Sequence, residues 1–312
     1  MKELYIGVDL GGTKIYTALA NVNGEILKEI VVPTEASKGS GQIIDKIKDS
    51  IRYVSQEVTL EKVKAIGIGS PGPLKVKDGI IAEPPNLPIR NYNIVEDIEN
   101  EFGVKVYLDN DANAATLAEY LFGQGIGKEN MVFITASTGV GGGAILNGKL
   151  YRGSTSNAVE LGHTTVKYNG RVCGCGNRGC VESLASGTAI KAIADERIKE
   201  NTTSLSQYEE ITSKEVFDEA KKGDKFANSI VRECIGYLGV AVANAANTFD
   251  PDMIVLGGGV LNAGDIIFEI IEEEMQERCL NTIRENCKVK PAKLGGKAGV
   301  LGAVALAIVE SK

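Results

Sequence analysis

Residues 4–26, LYIGVDLGGTKIYTALANVNGEI, are answered in the second half of the chain by residues 131–150, MVFITASTGVGGGAILNGKL. Each stretch is an apolar run, a turn rich in Gly and Thr, and a second apolar run that closes on Asn-Gly, at Asn23-Gly24 and Asn147-Gly148. Apolar runs bounded by such turns read as strands, and Asn-Gly between them reads as a tight hairpin. A pattern written twice predicts two related halves.

The flanking sequence supplies the helices. Ile43, Ile47, Ile51 and Val54 recur at spacings that line one helical face, and VKAIGIG after them is the continuous apolar run of a buried strand. A Pro-rich loop (SPGPLKVKDGIIAEPPNLP), a short helix, a strand at VKVYL and an Ala-rich helix capped by DNDAN follow. Beyond the second glycine turn and a Cys-rich loop, helices are predicted over 183–199, 213–222, 224–247, 264–278 and 298–310, with a strand at PDMIVLGGG. The fold class is α/β. At 312 residues the chain fits two domains. The expected division is a small α/β domain of residues 1–109 plus 298–312 and a large one of residues 110–297.

Composition narrows the partners. Lys plus Arg number 34 and Asp plus Glu 41, a net charge of −7 that opposes attraction to nucleic acid or an anionic membrane. The N-terminal MKELYIGVDLGG meets glycines and an aspartate before any apolar core of signal-peptide length, and the C-terminal AGVLGAVALAIVE is too short to span a bilayer, so a cytoplasmic protein is expected. Three of the six cysteines fall within residues 173–180, which suits metal binding in a reducing compartment better than disulfides.

Three glycine clusters each follow an apolar strand: Asp9 to Lys14, Ser137 to Gly143, and Leu256 to Gly259. Glycine lets backbone N–H groups approach an anion, Thr adds a hydroxyl and Lys a charge. Two such turns could clamp a triphosphate, with Asp9 holding Mg²⁺ through water. Neither a P-loop nor a dinucleotide fingerprint is present, and any one cluster alone is as compatible with a plain hairpin. Asn110 and Asp111 open a helix, where they can cap it. A carboxylate there can also take a proton from a substrate hydroxyl, and the two roles can coexist. His163, Cys173, Cys175 and Cys180 supply one imidazole and three thiolates, the set of a closed, structural zinc site; the alternative is reduced thiols beside an incidental histidine. Glu160 and Glu182 flank this set and could accept the hydroxyls of a sugar.

DLGGTK (9–14), SPGP (70–73), PNLP (85–88), NDANAA (110–115), STGVGGG (137–143), ExGH (160–163), CGCGxxGCxE (173–182) and LGGG (256–259) together resemble the ROK family of sugar kinases and repressors, and within it the bacterial glucokinases. The resemblance spans essentially the whole chain. It implies an actin-like ATPase (ribonuclease H-like) fold, two lobes with duplicated meander and helix units closing over sugar and Mg·ATP. It implies Asp111 as the base for the sugar 6-hydroxyl, and Asn86, Asn110, Asp111, Glu160, His163 and Glu182 as sugar contacts. Gly7, Asp9, Gly11, Gly12, Thr13 and Lys14 would form one phosphate loop and Ser137, Thr138, Gly139, Gly141 and Gly142 the other. Gly257, Gly258 and Gly259 would lie near the adenosine. His163 would serve zinc with one ring nitrogen and sugar with the other. Family habit implies a homodimer or homotetramer.

Three departures stand out: Ser137 and Val159 where the family often has Gly, and no Trp after NLP. Glucose is the expected substrate, with N-acetylmannosamine, N-acetylglucosamine, fructose or allose as alternatives and ATP or polyphosphate as donor. A repressor of the family would carry a DNA-binding segment ahead of the first glycine loop, where this sequence has six residues before Gly7.

Overall fold

A computed structural model describes residues 3–312. Its first elements are β1 (Leu4–Leu10), β2 (Lys14–Asn21), β3 (Ile26–Pro33), α1 (Ser40–Ser55), β4 (Val63–Ser70), β5 (Leu74–Lys75), β6 (Ile80–Ile81), β7 (Tyr92–Asn93), α2 (Ile94–Phe102), β8 (Lys105–Asn110) and α3 (Asp111–Phe122). Next come β9 (Met131–Ala136), β10 (Val140–Leu146), β11 (Lys149–Leu150), α4 (Val181–Ala185), α5 (Gly187–Arg197), α6 (Ser213–Lys221) and α7 (Lys225–Phe249). The chain ends with β12 (Met253–Gly257), α8 (Asp265–Arg278), α9 (Asn281–Asn286), β13 (Lys288–Pro291) and α10 (Ala298–Glu310).

Two compact units result. The first holds residues up to Ile126 with Gly153–Ser156 and Lys293–Lys312; the second holds Gly127–Arg152 and Asn157–Ala292.

In the first unit the sheet order is β3-β2-β1-β4-β8, an antiparallel meander extended by two strands parallel to β1. Strand side chains alternate between faces. Leu4, Ile6, Val8 and Leu10 join the core that contains Ile43, Ile47, Ile51 and Val54 of α1, whereas Tyr5 packs with Val304, Ala307 and Ile308 of α10. Helix α10 sits close on the sheet because Gly7 and Gly67 offer no side chain. A Cβ at Gly67 would lie 1.9 Å from the Ala303 carbonyl oxygen, and one at Gly7 2.5 Å from that of Val300. Helix α3 packs on α10 in turn, Gly302 meeting the Ala114 backbone. That packing places the change of unit after Ile126, beyond the division expected at 109/110.

The second unit repeats the arrangement. Its sheet order is β11-β10-β9-β12-β13, with β9, β10 and β11 antiparallel and β12 and β13 parallel to β9. Asn147 and Gly148 both have positive φ, 51° and 73°, as a primed hairpin turn between right-twisted strands requires. Helix α7 is long and apolar enough to cross a membrane by length and composition. Phe226, Ile230, Val231, Ile235, Leu238 and Val242 are nevertheless buried in this unit's core, which marks α7 as its central helix.

The helix expected over 183–199 is two. Ser186 interrupts it, its hydroxyl accepting from the Ala189 N–H at 3.1 Å and so capping α5. Strand β13 gave no apolar signal, because KVKP is an edge strand with only Val289 half-buried.

Candidate active site

Parallel strands bind ligands beyond their carboxyl ends. In the first unit Asp9 of β1 is in register with Gly69 of β4, and Gly69 with Asp109 of β8, so both acids end one row. The turn after β1 closes with the Gly11 N–H on the Lys14 carbonyl at 2.9 Å. Buried Thr34 braces it: its N–H donates to the Thr13 carbonyl at 3.0 Å and its hydroxyl to that of Gly11 at 2.7 Å. Thr34 belongs to no motif in the sequence. Gly12 lies against Asn86, as a Cβ there would be 3.2 Å from the Asn86 Cβ. Gly7 does not join the turn; it is the packing position beneath α10.

Asp9 meets the first turn of α10, where a Cβ on Gly299 would lie 2.3 Å from Oδ2. Burial, then the Asp111 charge, pushes the Asp9 carboxyl up to about 6 from 3.8, against the lowering pull of Lys14.

Asn110 caps α3, its Oδ1 accepting from the Ala112 N–H at 2.9 Å, and Asp111 Oδ1 accepts from the same N–H at 2.8 Å. Beneath them Asp109 is fully buried and accepts from the Asn110 N–H at 2.7 Å and the Asn113 side chain at 2.8 Å. Asp111 itself is exposed. The cap reading is thus observed, and it leaves an exposed carboxylate held on a rigid turn, with a buried partner the motif alone did not single out.

In the second unit the turn after β9 comprises Ser137, Thr138 and Gly139, closed by the Ser137 N–H on the Gly139 carbonyl at 2.8 Å. Gly141 and Gly142 lie instead within β10, paired with Thr135 and Ile134. The turn docks on the start of α5: the Gly187 N–H donates to the Ser137 carbonyl at 2.7 Å and the Thr188 hydroxyl to that of Thr138 at 2.9 Å. A groove of about 280 Å³ opens beside it, lined by Ser137, Thr138, Thr188, Lys191, Thr212, Ser213, Gly259 and neighbours. Lys191 is steadied by donating to the Ile211 carbonyl at 2.8 Å. Hydroxyls and Lys191, which also pairs with Asp195 and Glu210, give the groove a polar wall. Gly257 ends β12, and Gly258 follows with φ +98°. Thr188, Lys191, Thr212 and Ser213 escaped the sequence reading; the Ser-Gly-Thr opening of α5 at Ser186 was the available signal.

The ligand atoms of His163, Cys173, Cys175 and Cys180 all lie within 4.8 Å of one another. Cys173 Sγ is 3.7 Å from His163 Nδ1, and Cys175 Sγ is 3.7 Å from Cys180 Sγ. Tetrahedral zinc with Zn–S of about 2.3 Å and Zn–N of about 2.1 Å separates its ligands by about 3.6 to 3.8 Å, so the set fits. Nδ1 faces the sulfur, which leaves Nε2 for another partner. Burial pushes the Cys180 thiol up to about 12, while the Asn177 backbone lowers Cys175; a bound cation would favour the thiolate of both.

Glu182 opens α4 two residues after Cys180, and its Oε2 accepts from the Val140 N–H at 3.0 Å. It therefore ties the cysteine loop to the glycine turn. Glu160 is exposed, and its carbonyl accepts from the His163 N–H at 3.0 Å. Val159 before it has φ +65°, a left-handed conformation that β-branched residues rarely take. A glycine at that position in relatives would meet the same geometry without strain.

The ROK family profile matches residues 5–310. A glucokinase of Halalkalibacterium halodurans is 37% identical, over 96% of this chain and 93% of its own. A xylose repressor of Caldicellulosiruptor bescii is 32% identical over 97% of this chain but 77% of its own length. Among solved structures, a ROK family glucokinase from Streptomyces griseus in complex with glucose and AMPPNP superposes with a TM-score of 0.79 at 35% identity, covering 97% of this chain and 99% of that one. The chain belongs to the ROK family, and its fold is the α/β actin-like ATPase fold.

Proposed function

We propose that the chain is an ATP-dependent sugar kinase that transfers the γ-phosphoryl group of Mg·ATP to the 6-hydroxyl of glucose, with Asp111 as general base. The glucokinase relatives support this substrate pair. The observation that carries it is the turn at the start of α3, which holds an exposed Asp111 carboxylate over buried Asp109 and beside the Asp9 site.

Asp111 takes the proton of the sugar hydroxyl as its oxygen bonds the γ-phosphorus, the bond to the bridging oxygen breaks, and ADP leaves. Asn86, Asn110, Glu160, His163 and Glu182 are the residues that the family resemblance assigns to the remaining sugar hydroxyls. Because Glu182 Oε2 is already engaged by Val140, its sugar contact uses Oε1. In the turns closed by the Gly11 and Ser137 N–H groups, the backbone N–H groups of Gly12 and Thr13 and of Thr138 and Gly139, with Lys14, take the phosphates; the α5 groove and Gly257 to Gly259 take the nucleoside. Asp9 fits a water-bridged Mg²⁺, since its carboxyl is buried and raised by a second carboxylate that a cation would offset. Mg²⁺ would neutralise charge developing on the phosphates. His163, Cys173, Cys175 and Cys180 would fill all four positions of a structural Zn²⁺, holding His163, Glu160 and Glu182 in place. We expect a cytoplasmic homodimer or homotetramer acting on small molecules, with no nucleic-acid or membrane partner.

The test is a coupled assay of ADP release across hexoses and N-acetylhexosamines, run on protein whose metal content has been measured. Glucose should give the highest turnover, on protein carrying about one zinc per chain. Release that no sugar raises above background would overturn the kinase assignment, and full activity from metal-free protein of unchanged stability would overturn the zinc.

A further inference from the structure

The chain changes unit four times, and Glu119 touches the approach to the first crossing and the end of the last. The chain leaves the first unit after Ile126, and Lys293 is the first residue of its final return. Glu119 lies on α3 with its side chain fully buried. Its Oε2 accepts from the Gln124 N–H at 3.0 Å, on the way out. Its Oε1 accepts from the N–H groups of Lys293 and Leu294, each at 2.9 Å, on the way back. The Glu119 carbonyl also accepts from Gly123 at 3.1 Å and Gly125 at 2.8 Å. A Cβ on Gly123 would stand 2.0 Å from Oε2, so that glycine makes room for the carboxylate.

We infer that Glu119 is a positioning residue that anchors the first and the last of these connections and sets where the returning chain delivers α10 to Asp9. The returning path is short. Leu294 leads into a 3₁₀ turn, Gly295–Lys297, with the Lys297 N–H on the Leu294 carbonyl at 3.1 Å, and then into the first turn of α10, whose Gly299 abuts Asp9. Few bonds separate the anchored amides from the carboxylate assigned to Mg²⁺. Each carboxylate oxygen serves a different connection, Oε2 the outgoing one and Oε1 the returning one. Gln at this position keeps the size but replaces one acceptor oxygen with a donor, which then faces an N–H it cannot accept.

The inference rests on the kinase reading for its catalytic consequence and on the chain alone for its structural one. Glu119→Gln is compared with Glu219→Gln, a buried carboxyl of the second unit that bonds Ser204, Tyr208 and Lys222 away from both connections. In Glu119→Gln, amide exchange at Gln124, Lys293, Leu294 and Gly299 should quicken by about tenfold or more while the α7 core stays protected. The kcat for glucose should fall about 10- to 100-fold, the scale of a small misplacement of catalytic groups, with KM for glucose little changed. Glu219→Gln should lose stability yet keep both kcat and exchange at those amides. Unchanged exchange in Glu119→Gln, or exchange that quickens without loss of kcat, would overturn the inference. Exchange is read without substrate, so a wild type that phosphorylates no sugar would sink the kinase reading while the anchor is still judged.

Discussion

The two sheets share one strand order and one polarity, yet the turns that follow their first strands are built for different chemistry. After β1 the turn lies beside Asp9, in a row with Asp109 and close enough to Asp111 for their charges to interact. After β9 no acid ends the strand row: Ser137 and Thr138 meet the start of α5, hydroxyls and Lys191, and the one carboxylate at the turn, Glu182, is engaged by the Val140 N–H. Carboxylates repel a triphosphate unless a cation intervenes, whereas hydroxyls and N–H groups accept it directly. A duplicated scaffold thus offers equivalent places at the strand ends, and the residues put there divide the work. On the proposed reading, the first unit would carry the acid–base and cation chemistry, and the second the hydroxyl and N–H donors and the Cys/His loop suited to a metal.

The largest effect expected from this contrast is on Asp9. Its folded-state carboxyl titrates near 6 against 3.8 ordinarily, so between those values the folded chain holds a proton the unfolded chain has released. The resulting stability is complete below about pH 4 and is lost as pH rises through about 6, a change of about 3 kcal/mol. Melting curves across this window, without Mg²⁺, should show the slope in the wild type and not in Asp9→Asn, and Mg²⁺ should lessen it. Identical curves for the two proteins would remove the contrast between the turns.

A smaller effect compares the braces. Thr34 donates to Gly11 and Thr188 to Thr138, so Thr34→Val and Thr188→Val each delete one hydrogen bond to a turn carbonyl. Each should raise KM for ATP about fivefold, the equivalent of about 1 kcal/mol. If only one did, the two turns would not share the phosphates.

Much of this division was legible in the sequence, for identifiable reasons. Duplicated apolar runs with Asn-Gly turns announced both meanders, and the spacing of Ile43, Ile47, Ile51 and Val54 announced α1, because burial imposes period on sequence. The cysteine cluster was legible because three thiols and an imidazole at close spacing are a recognisable donor set, and the fold brings those four groups together. What escaped was set by tertiary contact. Thr34, Asp109 and Glu119 act through backbone groups or turns that only the folded chain brings to them. Gly7, Gly141 and Gly142 sat in glycine-rich text but serve packing and strand pairing. The change of unit after Ile126 depends on α3 meeting α10, a contact no local pattern encodes.

The central claim is that the first unit's carboxylate performs the proton transfer while binding resides largely elsewhere, and Asp111→Asn tests it most directly. Turnover of glucose and the affinities for glucose and ATP should be measured on the folded variant. Turnover should fall about 10²- to 10⁴-fold, the usual contribution of a positioned base, with both affinities little altered. Near wild-type turnover in folded Asp111→Asn would contradict it.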